Sequence, residues 1–167
     1  MAITEAAKTY REKMLPGSRS SLMDTDPEFA ERFYSFAYDE VVNQDDLDDR
    51  TRLMAILAAL MGCQGTEEFR CQVEAALNLG VTPVEIKETV YQGVAYLGMG
   101  RVSPFMEVVN QALKERGIPL PLEGQATTTM EDRREAGTQV QVDIFGEGMA
   151  DFWRSGPEES RHIDRWL

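Results

Sequence analysis

The sequence predicts an all-α fold of about eight helices, and three observations predict it. Apolar residues recur at three- and four-residue spacing in one segment after another, capping residues and prolines mark helix starts, and glycines mark helix ends. No segment reads as a convincing strand. With 167 residues and 43% apolar content the chain can bury one sizeable core, and its length argues for one domain.

The elements follow in order. Ile3 to Met14 reads as a moderately amphipathic helix closed by Pro16 and Gly17. Asp26, Pro27 and Glu28 form an N-cap with proline at the first helical position, after which Phe29, Phe33, Phe36 and Ala37 recur at helical spacing. A third helix is expected to open at Asp45/Asp46 and to turn almost wholly apolar from Leu53 to Met61, the composition of a central helix. Gly62 to Gly65 interrupts it, and Thr66 is the expected cap of a fourth helix, with Glu67 and Glu68 set favourably against its dipole. Gly80 ends that helix. Thr82, Pro83 and Glu85 then give a capping box with proline at its first position, and Ile86, Val90, Gly93, Val94 and Leu97 make the buried stripe of the fifth helix. Gly98 and Gly100 are expected to end it, and a sixth helix with Phe105, Val108, Val109, Ala112 and Leu113 runs to Gly117.

The proline, glycine and threonine loop of 118–130 separates residues 1–117 from a further segment, 131–167, which carries helical patterns over roughly Glu131 to Phe145 and Pro157 to Trp166. The second of these echoes an earlier stretch at an offset of 130 residues: "DPEFAERFYSF" (26–36) and "GPEESRHIDRW" (156–166) both begin with Pro-Glu and share later apolar and aromatic positions. By that period the partner of the helix from Asp46 would lie beyond Leu167.

Composition also excludes function classes. A net charge of −12 without a Lys/Arg cluster argues against nucleic acid and anionic membranes as partners. The longest apolar run, Leu53 to Gly62, is about half of the ~20 residues that a membrane-spanning helix needs. Met1 to Lys8 has no apolar signal region, so a cytoplasmic location is expected. Two cysteines eight residues apart and a lone histidine, His162, match no zinc spacing, and neither a metal nor a cofactor is expected. Asp45, Asp46, Asp48 and Asp49 lack the glycine and glutamate of a calcium loop and read as an acidic helix start. Met54, Met61, Met99 and Met106 sit where core stripes pass.

Cys63 and Cys71 are separated by seven residues, Gly65 among them, too far for a redox pair within one helical turn. They read as buried small hydrophobes, or, for Cys71, as a thiol activated by the helix dipole. Gln92 and Tyr96, one turn apart on an otherwise apolar helix, either hydrogen-bond within the core or line a pocket.

At "DLDDRTRLMAILAALMGCQGTEEFRCQVEAALNLGVTPVEIKE" (46–88), continued in "YQGVAYLGMGRV" (91–102), the sequence resembles the carboxymuconolactone decarboxylase family, which includes the alkylhydroperoxidase-like proteins. The resemblance covers most of residues 25–117. It implies packed antiparallel helices of the alkylhydroperoxidase-like type, a small-molecule ligand, and homo-oligomers, trimeric or hexameric. Long members carry two units in tandem, and 131–167 resembles the lead-in to a second unit, expected to pack on the first within one subunit or across an interface.

The same resemblance places the chemistry. Laid on Glu68 to Gln72, the family's E-L-R-S-H puts its histidine at Gln72, and the C-x-x-C of hydroperoxidase-like members falls on Gly65 and Glu68. The family's glutamate on the preceding helix would fall at Thr51 or Arg52. An amide has no pKa near neutrality, so the acid/base set is incomplete. Arg70, Cys71 and Gln72 remain as candidate catalytic residues, with Thr51, Arg52, Gln92 and Tyr96 as candidate substrate contacts. The expectation is a lyase on a small acidic or quinone-like metabolite, with a non-catalytic binding or assembly protein and a thiol-dependent peroxidase as alternatives.

Overall fold

A computed structural model describes residues 2–160 of the chain. Those residues form nine α-helices and no strand. Helix α1, Glu5–Met14, is capped by Thr4, whose hydroxyl accepts from the Ala7 N–H at 3.2 Å. After the short α2, Leu22–Thr25, comes α3, Pro27–Ser35, whose last turn widens into a π-helical turn, Phe36–Glu40, with the Val41 N–H donating to the Phe36 carbonyl.

Four longer helices hold the core. They are α4, Asp49–Gly62; α5, Thr66–Asn78; α6, Pro83–Leu97; and α7, Met99–Glu115. Leu53 and Leu57 from α4, Phe69 and Val73 from α5, Ile86 from α6 and Phe105 and Leu113 from α7 are fully buried. Phe69 and Phe105 meet edge to face at 4.9 Å, the geometry their quadrupoles favour. Gly93 lets α4 and α6 close: a Cβ there would stand 3.3 Å from the Met61 methyl. The reversal from α6 to α7 uses Gly98 at φ 79°, a conformation that glycine adopts without strain. The Asn78 amide donates to the Met14 carbonyl at 2.7 Å, tying the end of α1 to α5.

Several expected details shift. Asp48, not Asp45 or Asp46, caps α4: its carboxylate accepts from the Thr51 N–H at 3.0 Å and the Thr51 hydroxyl at 2.7 Å. Gly65 precedes α5 and Thr66 is its first helical residue, while the Thr82–Glu85 capping box forms as expected. Gly100 lies inside α7, because Gly98 alone makes the turn. Met99, beside that turn, is exposed instead of joining a core stripe. Cys63 and Cys71 are both exposed, a correction to the buried reading. Their helices turn other faces inward: α5 buries Phe69, Gln72, Val73, Ala75 and Ala76.

Beyond the core lie α8, Arg133–Phe145, and α9, Phe152–Ser155. They repeat the order of α1 and α2: 130 residues separate Leu22 from Phe152 and Met14 from Ile144. Trp153 stands between two guanidinium groups, Arg134 at 4.3 Å and Arg154 at 4.5 Å from its ring. Of the segment's other apolar residues, Val140, Ile144 and Phe145 are exposed, and Ile163, Trp166 and Leu167 lie outside the described residues. So do His162 and most of the helix expected from Pro157 to Trp166.

Candidate functional site

The central helix α4 is apolar nearly all round because it serves two faces. Leu53, Leu57 and Met61 enter the core, while Ala55, Ile56, Ala59 and Leu60 form one wall of a cleft of about 720 Å³. The opposite wall is α3 and the π-helical turn. Ala30 and Tyr34 of α3 are buried, while Phe29 and Phe33 of α3 and Phe36 of the π-helical turn stand at the cleft, 43–59% exposed. The phenylalanines that recur at helical spacing line a cavity, while the core behind them is closed by α4 to α7. Phe29 and Phe33 stack at 5.9 Å, and Phe33 meets the Tyr38 ring edge-on at 6.3 Å.

One end of the cleft is polar. Tyr10 from α1, Tyr38 from the π-helical turn, Arg52 from α4 and Glu68 and Gln72 from α5 converge there. The Gln72 amide, one turn after Glu68, donates to its carboxylate at 2.8 Å. Arg52 holds the loop before α4 in place, donating to the carbonyls of Val42 at 3.1 Å and Leu47 at 2.8 Å, and its charge faces Asp45 at 3.6 Å. The Tyr10 hydroxyl donates to Asp49 at 2.7 Å.

These contacts set protonation. Burial pushes the Tyr38 phenol above its ordinary value and the charge of Glu68 adds to this, while Arg11 and a hydrogen bond from Gln72 act in the opposite sense. Burial likewise raises Tyr10, with Asp49 reinforcing it. Burial would raise Asp49, but bonds from Lys13 and Tyr10 outweigh it and hold the carboxyl below its usual range. At neutral pH both phenols are therefore neutral donors.

Gln72 and Arg52 line this cleft, and each carries a buried polar atom without a protein partner among the described residues, Gln72 Oε1 and Arg52 Nε. The other expected positions lie elsewhere. Arg70 and Cys71 are exposed on α5 and do not line the cleft, and Thr51 is engaged with Asp48 at the helix start. Gln92 and Tyr96 are exposed on α6, Tyr96 at 79%, so neither is a core hydrogen-bonding group here. The dipole does not activate Cys71: desolvation raises its thiol pKa, and Glu68 and Glu67 raise it further.

Glu68 and Tyr38 were not singled out by sequence. Glu68 is the first residue of the stretch on which the family's E-L-R-S-H is laid, four before Gln72, a spacing that puts both side chains on one helix face. Tyr38 carries no local signal, because the π-helical turn sets its direction.

The carboxymuconolactone decarboxylase family model matches residues 27–111, just over half of the chain, from the start of α3 into α7. The chain belongs to this family. It is 29% identical over 107 residues to the 4-carboxymuconolactone decarboxylase of Acinetobacter baylyi, an alignment covering 64% of this chain and 80% of that protein. No solved structure matches the chain. The family match takes in both cleft walls and the Glu68–Gln72 pair, and leaves α1 and the α8–α9 segment outside. Among the described residues no group of three or more His, Cys, Asp or Glu side chains could hold a metal ion, and no helix is long and apolar enough to cross a membrane.

Proposed function

We propose that the cleft binds a small acidic or quinone-like metabolite and that the protein acts on it as a decarboxylase-like lyase with a reduced acid/base set. The observation that carries this is the Glu68–Gln72 pair at the polar end of an apolar cleft, with the neutral Tyr38 phenol beside it. In a decarboxylation the carbon–carboxyl bond breaks, its electron pair passes to an adjacent carbonyl as an enolate, and the enolate carbon then takes up one proton. Tyr38 would donate a hydrogen bond to the enolate oxygen, and Glu68 would carry the proton to carbon. Gln72 transfers no proton and is a positioning residue for Glu68. Arg52 is the cation on the cleft wall and would face the substrate's polar group.

The test is CO2 release from 4-carboxymuconolactone and from a hydroxylated aromatic acid, with wild type and Glu68→Gln compared. Loss of a positioned acid/base group should slow turnover by about 10²–10⁴-fold. Turnover unchanged in Glu68→Gln would refute the assignment. Binding without CO2 release from either compound would favour the second reading, a non-catalytic binding protein, for which the amide at the family's histidine position speaks. The thiol-peroxidase alternative draws on Cys71, whose raised pKa leaves little thiolate at neutral pH. We further propose a cytoplasmic homo-oligomer, trimeric or hexameric, in which residues 131–167 act as a partial second repeat and the exposed apolar row of α8 is covered by a second copy; such rows rarely stay in water.

A further inference from the structure

Within the site reading just proposed, the walls of the cleft restrict the ligand further than the family relationship does. We infer that its ligand is a largely apolar molecule of two or more fused rings bearing one polar head, neutral or singly charged, and not a compact dianion. Three observations converge on this. The cleft, at about 720 Å³, is in the upper part of the ~300–1,000 Å³ typical of small-molecule sites and leaves a single small ring most of its space unfilled.

Its polar groups gather at one end. Away from Tyr10, Tyr38, Arg52, Glu68 and Gln72 the lining is aliphatic and aromatic throughout. On the aromatic wall Phe29 and Phe33 lie nearly parallel, 10° apart, and the Tyr38 ring stands edge-on to Phe33. Flat rings stack on such a wall, and the exposure of Phe29, Phe33 and Phe36 leaves that surface free to be covered.

Charge decides against a dianion. Among the described residues the lining offers one cation, Arg52, and one anion, Glu68, and Arg52 already faces Asp45 at 3.6 Å. Those described residues leave no surplus positive charge to meet two carboxylates, and the chain as a whole carries −12. One polar head, by contrast, finds partners. Arg52 Nε is a buried donor and Gln72 Oε1 a buried acceptor, both without protein partners among the described residues, which suits a head offering an oxygen acceptor beside a hydroxyl. A ring-bearing hydroxy acid or hydroxyquinone has that pattern.

Calorimetric titration of the full chain tests this with 1-hydroxy-2-naphthoate as the fused-ring monoanion and 4-carboxymuconolactone as the compact dianion. The naphthoate should bind at least about 10-fold more tightly, and Phe29→Ala and Phe33→Ala should each weaken it by roughly 5–10-fold, as expected for aromatic contacts at a binding surface. Phe29 is the more exposed of the two, so Phe29→Ala should keep the wild-type melting temperature, and an unchanged helical circular dichroism spectrum confirms that Phe33→Ala is folded. Tighter binding of the lactone, weakened in Glu68→Gln, would overturn the inference and leave the site reading standing. Naphthoate binding indifferent to Phe29, Phe33 and Glu68 would overturn both, since the ligand would then sit elsewhere. If neither compound binds and Phe33→Ala instead lowers the oligomer mass in light scattering, the cleft is a subunit contact, and the inference and the site reading fail together.

Discussion

Helices α1 and α8 are the same kind of element in two surroundings. Each begins a segment in which a helix of ten or more residues is followed, at the same spacing, by a single turn: α2 after α1, α9 after α8. In the first, Ala7 and Met14 are buried and Tyr10 reaches Asp49 on α4, because α4 and α5 are there to receive them. In the second, Gly137 is buried at the position matching Ala7, but Val140 and Ile144, which match Tyr10 and Met14, are exposed. The difference teaches that the amphipathic pattern of such a segment does not bury anything alone. A packed unit must lie beneath it, and where one does, the cleft is formed as a by-product of the docking.

The largest expected effect separates the two segments outright. Met14→Ala should cost about 2–5 kcal/mol by chemical denaturation, the range for emptying a core site, while Ile144→Ala should stay within ~0.5 kcal/mol at protein concentrations low enough to disfavour assembly. Light scattering at higher concentration should show Ile144→Ala shifted to a smaller oligomer. An equal loss of stability in both variants, with mass unchanged, would mean that α8 docks within its own chain.

A smaller effect concerns Tyr10, whose counterpart is the apolar Val140. Burial raises the phenol's folded-state pKa above its unfolded value near ~10, so the stability it contributes is complete below that pH and is lost as pH rises through the folded value. Tyr10→Phe removes the bond to Asp49 and should lower stability at pH 7 by about 1–3 kcal/mol, yet flatten the decline measured by denaturation between pH 9 and pH 11. An equally steep alkaline decline in Tyr10→Phe would assign that loss to other groups.

Sequence disclosed the helices wherever a local device ends or begins them. The Thr82–Glu85 capping box and the Gly98 turn are complete in a few residues, so both are legible. The start of α4 is not legible, because four aspartates within five residues are chemically equivalent caps and only the folded loop selects Asp48. Which face of α3 points inward is not local either. Phe29, Phe33 and Phe36 recur at helical spacing, but they line the cleft while Ala30 and Tyr34 face inward, a choice made by the elements packed around them and not by the local pattern. Tyr38 is illegible for another reason, since the π-helical turn that carries it has no local sequence signal. Glu68 lies one turn before Gln72 at a helix start, where a glutamate is equally explained by the helix dipole, and only the fold turns it to the cleft.

The central claim, that the cleft formed where the first segment docks on α4 and α5 is the ligand site, is tested most directly by methyl NMR of the full chain labelled at isoleucine, leucine and valine and titrated with 1-hydroxy-2-naphthoate. The signals of Ile56, Leu60 and Leu47 on the cleft wall should shift in step with occupancy, and those of Val140 and Ile144 on α8 should stay in place. Shifts confined to Val140 and Ile144, with Ile56 and Leu60 unmoved, would contradict it.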